Sequence, residues 1–147
     1  MPLSAAVARQ LTEEHIAFVK RSNLKAEVLE PGFVRLRMPL AGNQNHLGSM
    51  YAGALFTLAE IPGGALFMTS FDVTRFYPLV KDMQIRFRRP ATGDICVEAR
   101  ISSAEIERLQ AEAHNLGKAD YLLELELTDA RGEVVASSRG LYQLRKH

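Results

Sequence analysis

Between Met50 and Met68 almost every residue is apolar or small, and the one charge in that run is Glu60. A carboxylate left among such neighbours is costly unless a partner or a task compensates for it. Desolvation raises the pKa of a carboxyl group and makes it a better general base, which is what activation of a water molecule requires. The structural alternative for Glu60 is an ion pair with an arginine such as Arg75 or Arg86, or exposure at a dimer edge. Gly53 stands near the start of the same run. If the run is a helix, its first N–H groups are free, its dipole presents a positive end, and a glycine there lets a ligand carbonyl come close to the chain. Donors so placed stabilise the oxyanion that forms when a carbonyl is attacked. A glycine serving packing alone is the competing reading. Thr57 lies between the two at helical spacing, so Gly53, Thr57 and Glu60 share one face. Its hydroxyl either orients Glu60 or bonds back to the preceding turn.

The stretch before the run, Ala41 to Gly48, has loop composition and carries Asn45 and His46. An asparagine in such a loop commonly closes an Asx-turn. His46 reads first as a surface histidine, and paired with Glu60 it would supply acid–base chemistry instead. Arg86, Arg88 and Arg89 could fork onto phosphate, or could simply form a solvated strand face. Cys96 has no cysteine partner, and the four histidines form no H-E-x-x-H pattern, so neither a disulfide nor a metal site is expected. The 18 basic and 17 acidic residues nearly cancel, which gives no case for a nucleic-acid partner. The N-terminus lacks the pattern of a signal peptide and no charge-free stretch is long enough to span a bilayer. A cytoplasmic protein without a membrane partner is therefore expected.

These residues need elements to hold them, and 147 residues with 47% hydrophobic content suggest one domain over residues 1–147. Leu3, Val7, Leu11 and Phe18 fall on one stripe, predicting an amphipathic covering helix within residues 1–22. Lys25 to Glu30 and Phe33 to Leu40 read as a hairpin across Pro31-Gly32. Met50 to Met68 reads as a helix that is greasy on all sides and so must be buried. Val80 to Arg89 and Asp94 to Ile101 alternate as two more strands around Pro90 to Gly93. Ser102 to Glu105 has capping-box spacing and Gly117 stands where a C-cap belongs, which predicts a short helix between them. Tyr121 to Thr128 and Glu133 to Leu144 form a last hairpin. Gly140 there either admits the helix closely or marks a bulge. The fold class is α+β, an antiparallel sheet of about six strands wrapped around one long buried helix, because nothing else in the chain could cover that helix.

That order resembles the hot-dog fold. The run Asn45-His-Leu-Gly48-Ser-Met-Tyr51-Ala52-Gly53-Ala-Leu-Phe-Thr57-Leu-Ala-Glu60 is similar to the pattern N-x-x-G-x-x-H-G-G-A-x-x-x-L-A-D/E of the phenylacetyl-CoA thioesterase group. Met83 to Asp94 resembles the strand, Pro-Ala turn and Gly-Asp of the same superfamily. The helical insert at Ile106 to Leu116 and the run Gly132 to Ala136 are similar to a thioesterase domain that follows an acetyltransferase in some bacterial proteins. The resemblance covers roughly Lys25 to Arg145. It departs at Tyr51-Ala52, where the best-characterised members carry His-Gly.

The resemblance implies hydrolysis of an acyl-CoA or acyl-carrier-protein thioester, with coenzyme A present only as part of the substrate and no cofactor. It implies Glu60 as the base, the Gly53 N–H as oxyanion donor and Asn45 as positioner of carbonyl or water. His46, Gly48, Tyr51, Ala52, Thr57 and Arg88 are the expected substrate contacts. In the resembling group the site forms across a pair of subunits, which implies a homodimer here, or a dimer of dimers. Two rivals stand beside this reading: a non-catalytic acyl-CoA-binding module, favoured by the missing His-Gly, and a dehydratase or hydratase using His46 and Glu60. The second is disfavoured because Leu47-Gly48 lacks the prolines of the dehydratase motif.

Overall fold

The computed structural model describes all residues, Met1 to His147. Helices α1 (Ala5–Gln10) and α2 (Ala17–Ser22) flank a π-helical turn at Leu11–His15. Strands β1 (Lys25–Glu30) and β2 (Phe33–Met38) follow, then the long helix α3 (Ala52–Ser70). Strands β3 (Phe76–Phe87) and β4 (Ile95–Arg100), helix α4 (Ser103–Leu116), and strands β5 (Lys118–Thr128) and β6 (Val134–Lys146) complete the chain. All strand pairs are antiparallel, and the six form one sheet in the order β1-β2-β4-β5-β6-β3. The sheet curls around α3, whose Leu58, Ala59 and Leu66 are sealed in the core. This is the hot-dog architecture. By length and composition α3 could cross a membrane, but the protein itself buries most of it.

Burial of α3 is not complete, in contrast to the expectation of a helix covered all round. Gly53, Phe56, Glu60 and Gly64 form one stripe that the sheet does not cover, and Phe56 is 40% exposed. At the other side of the helix, Tyr142 of β6 stacks on Tyr121 and its hydroxyl donates to the Glu60 carbonyl oxygen at 3.0 Å. Gly63 and Gly140 make room for that ring, since a Cβ at either position would collide with it. Gly140 therefore admits a tyrosine rather than the helix backbone, and the strand has no bulge there; the register shift of this pair lies between Val80 and Asp82. Gly63→Ala is expected to lower Tm by several degrees. Overpacking of about 1–3 kcal/mol outweighs the ~1 kcal/mol gain in helix propensity. Gly64→Ala meets nothing within 4 Å and should raise Tm in the same thermal melt.

The N-terminal segment also departs from expectation. It is broken at Ile16, which is extended, and its buried residues are Ala8, Thr12, Val19 and Ser22, while Val7 and Phe18 are exposed. The reason is a tie to β1: Arg9 Nε donates to the Ala26 carbonyl at 3.0 Å, and the Glu13 carboxylate accepts the Ala26 N–H at 2.8 Å. A π-turn adds a residue to the helical repeat and rotates the faces that follow it. These two side chains cap the β1 edge of the sheet. The β3 edge receives no such cover.

Strand boundaries differ modestly. β2 ends at Met38 rather than Leu40, and β3 begins at Phe76, four residues before the alternation that announced it. Pro78 hides that start, and is tolerated because β3 is an edge strand. β4 and β5 share only two register pairs, and α4 packs beside β5 with Leu109 and Ala113 buried. Its caps are as expected, with the Ser102 hydroxyl accepting the Glu105 N–H and Gly117 left-handed.

Candidate active site

Two groups of residues with chemical capacity gather along α3, at Gly53 and at Glu60, about two helical turns apart. The first surrounds its N-terminus. The Ala54 and Leu55 N–H groups bond to the Tyr51 carbonyl, whereas those of Ala52 and Gly53 have no acceptor in the chain and no side chain caps them. No acidic residue occupies the first turn, so the positive end of the dipole is uncompensated. Asn45, Ser49, Ala52, Phe87 and Arg88 border a hollow of about 360 Å³ in front of these groups.

The loop that carries Asn45 is held firmly. The Met50 N–H donates to the Ala91 carbonyl, Tyr51 N–H to the Asn43 carbonyl, and Leu40 N–H to the Asp94 carboxylate. Asn43, which sequence reading passed over, anchors it further by donating to the Ser22 and Pro39 carbonyls. Asn45 does close an Asx-turn, its Oδ1 accepting the Leu47 N–H at 2.8 Å, while its amide donates to the Ser49 hydroxyl at 3.1 Å. One amide hydrogen remains for a ligand. Gly48 is left-handed, with φ of 85°, and its N–H closes the turn onto the Asn45 carbonyl. It shapes the loop and stands in the open.

The Tyr51 ring lies against the first turn, where its Cε2 would be 2.5 Å from a Cβ at position 53. Gly53 thus lets this ring lie flat as well as leaving its own N–H accessible. Thr57 bonds back to the Gly53 carbonyl at 2.8 Å, so its proton is committed within the helix rather than to Glu60. His46 is exposed, and no hydrogen bond or ion pair joins it to Glu60. Arg88 donates to the Ser137 hydroxyl at 3.1 Å and has no carboxylate partner, while Arg89 pairs with Glu133 at the surface.

The second group centres on Glu60. It forms no ion pair and its side chain no hydrogen bond; Arg75 instead lies over the Phe76 ring, 4.8 Å from its centroid. The anticipated alternative of a pair with Arg75 or Arg86 is not what the fold builds. Burial pushes the Glu60 carboxyl above the usual carboxylate range, with no bond opposing the rise. Of the inward-facing residues of β3, Val80 and Phe87 are 44% and 50% exposed, so apolar surface stays open along this edge of the sheet. Val80 faces Tyr142, which is bonded to Glu60. Tyr142 escaped notice in the sequence, although Gly63 and Gly140, two glycines inside regular elements, were the available signal. No cluster of three or more His, Cys, Asp or Glu side chains converges anywhere in the chain.

Residues 6–142 match the model of a family described as Domain of unknown function (DUF4442). Among solved structures, a Pseudomonas aeruginosa protein of unknown function named "Probable Thioesterase" is 70% identical, with 100% of this chain and 99% of that one covered and a TM-score of 0.96. A Haemophilus influenzae thioesterase is 13% identical over 99% of this chain and 93% of that one, with a TM-score of 0.77. A Staphylococcus aureus thioesterase enzyme, solved as a point mutant, is 18% identical over 88% of this chain and 99% of that one, with a TM-score of 0.71. At those identities the last two share the fold. No curated protein matches the chain.

Proposed function

As the chain belongs to the DUF4442 family, we propose that it hydrolyses an acyl thioester, of coenzyme A or of an acyl-carrier protein, with Glu60 as general base. The observation that carries this reading is the Glu60 carboxylate itself: unpaired, half-buried and held on a helix that is otherwise apolar. Desolvation without a counter-ion is a standing cost to the fold, and base catalysis is the use that such a group serves. The 70% identical neighbour named "Probable Thioesterase" supports the reaction class.

Within one chain, however, Glu60 does not border the hollow that holds Asn45 and the free helix N–H groups. A dimer brings them together. Two β3 edges pairing antiparallel about a two-fold axis set the Phe76–Pro78 end of one copy beside the Phe87 end of the other. Phe87 borders the hollow that holds Asn45 and the free helix N–H groups. Glu60 of one copy then faces those of its partner, and the exposed Phe56, Val80 and Phe87 are covered. Edge strands left open are a liability that such pairing removes.

In this arrangement a water molecule gives its proton to Glu60 as its oxygen bonds to the thioester carbon. The resulting oxyanion accepts from the partner's Gly53 N–H and Asn45 amide, and Arg88 beside them is free to meet a phosphate of coenzyme A. Collapse of the adduct breaks the C–S bond, the departing sulfur takes the proton from Glu60, and a carboxylic acid and free thiol leave. No cofactor enters the sequence. The test is thiol release from a panel of acyl-CoA and acyl-carrier-protein substrates. Stoichiometric free thiol is expected, and hydration or dehydration without thiol release would point to a different reaction.

A binding module without turnover is the second reading, favoured by the Tyr51 ring that lies where a histidine stands in the resembling group. Tight acyl-CoA binding unchanged by Glu60→Ala, with no thiol released, would decide for it.

A further inference from the structure

One turn beyond Glu60, α3 borders an apolar cavity of about 310 Å³ that the hydrolytic machinery does not use. Its walls come from Ile61, Gly64 and Met68 on α3, Leu11 and Ile16 around the π-turn, and Pro78 on β3. Its size is at the small end of ordinary ligand pockets. Phe67 is the one aromatic ring of the hydrocarbon type in its wall, while Phe71 and Phe76 are sunk in the core and do not line it.

Gly64 is the informative position. It follows Glu60 by one turn on the same helix face, and a Cβ built there meets nothing within 4 Å. A glycine inside a helix costs about 1 kcal/mol relative to alanine, and here no neighbouring atom requires it. This contrasts with Gly63 next to it, where the Tyr142 ring leaves no room. The space over Gly64 is not filled by the chain itself. The lining carries no acidic or lysine/arginine side chain, with Thr12 and His15 its polar members, so it disfavours a charged or strongly polar occupant. From Glu60 to Met68 α3 advances about 12 Å, so an extended hydrocarbon arm entering at Glu60 can run along the wall.

We propose that this cavity receives the acyl arm, and that the preferred substrates are thioesters of medium-length aliphatic acids whose chain lies over Gly64. The inference rests on the reading of Glu60 as the hydrolytic base, because that reading places the thioester carbon at the mouth of the cavity. Gly64 is thereby the residue that sets chain length.

Binding and turnover are measured separately so that the two ideas fail separately. Affinities of non-hydrolysable S-alkyl coenzyme A thioethers, from ethyl to dodecyl, are measured by calorimetry on the protein, wild type and Gly64→Leu. In the wild type, affinity is expected to rise about fourfold per methylene until the cavity is full. Gly64→Leu should flatten that rise and cut the decyl-to-butyl affinity ratio by tenfold or more. Gly64→Ala, which removes less space, should give an intermediate ratio. A thermal melt confirms that both variants are folded. Equal length dependence in wild type and Gly64→Leu overturns the proposal. So does a Gly64→Leu protein whose oligomeric state changes while its length dependence does not, since the cavity then belongs to the partner subunit. Length-dependent thioether binding with no thiol released from any acyl-CoA leaves the cavity assignment standing and removes the hydrolytic reading instead.

Discussion

Glu60→Gln is expected to lower kcat for thioester hydrolysis by about 10²–10⁴, the range for loss of a positioned general base. The same substitution is expected to raise Tm near neutral pH. The two effects have one cause. Burial lifts the folded-state pKa of Glu60 above its unfolded value, with nothing to compensate the charge. Its contribution to stability is therefore full at pH values below the unfolded pKa and is lost as pH rises through the folded pKa. At neutral pH the wild-type protein carries the cost of an ionised, desolvated carboxylate, and an uncharged amide of the same shape relieves it. Activity follows the opposite sign, since only the ionised form accepts the proton from water. kcat/KM should fall tenfold per pH unit below the raised pKa and level off above it, and that limb should vanish in Glu60→Gln. Rate profiles and melts across pH 4 to 9 check both. A variant of equal rate, or one that loses rate and stability together, would remove Glu60 from the mechanism and make it a structural group.

Mixing two crippled chains should restore activity. Asn45→Asp keeps the oxygen that accepts the Leu47 N–H, so the Asx-turn survives, but it removes the amide donor. Loss of such a donor costs about 10²–10³ in kcat. Glu60→Gln removes the base on the other side of the dimer interface. Each homodimer is then inactive at both sites. In a heterodimer one site carries both defects and the other carries neither. Random reassortment by co-expression or refolding makes about half the dimers mixed, so recovery of about a quarter of wild-type activity is expected for a two-fold assembly. The double variant, mixed with itself, recovers nothing. An absence of recovery from a population shown to be mixed would mean that Asn45 and Glu60 serve the same site within one chain, and the two-fold arrangement through β3 would be wrong.

Much of the fold is written locally. The α4 caps, the alternation of β5 and β6, and the apolar run of α3 each depend on residues a few positions apart, and each is where the pattern places it. The N-terminal helix was misread because its local stripe competes with a distant tie: Arg9 and Glu13 reach Ala26, and the backbone yields to them. The start of β3 was missed for a related reason, since Pro78 argues against a strand everywhere but at an edge, and sheet order is not a local property. At the candidate site, Glu60 stands out because one charge in an apolar run is anomalous at any level of description. The commitments of Asn45 and Thr57 to local bonds, and the contact of Tyr142 with α3, become visible only once the elements are packed.

The amino-acid sequence alone determined most of the helices and strands, that one helix must lie against the sheet, and that its lone acid is chemically exceptional. Periodicity, caps and composition act over a few residues, and those can be read in order. Tertiary structure decided which face of α3 stays open, which edge of the sheet is capped, and that a cavity begins at Gly64. A helix apolar on every side carries no mark of its own orientation. Only the strands, rings and side chains packed against it select the face that remains for a ligand and a second copy of the chain, and some come from far along the chain, as the Tyr142 bond to the Glu60 carbonyl shows across a separation of 82 residues.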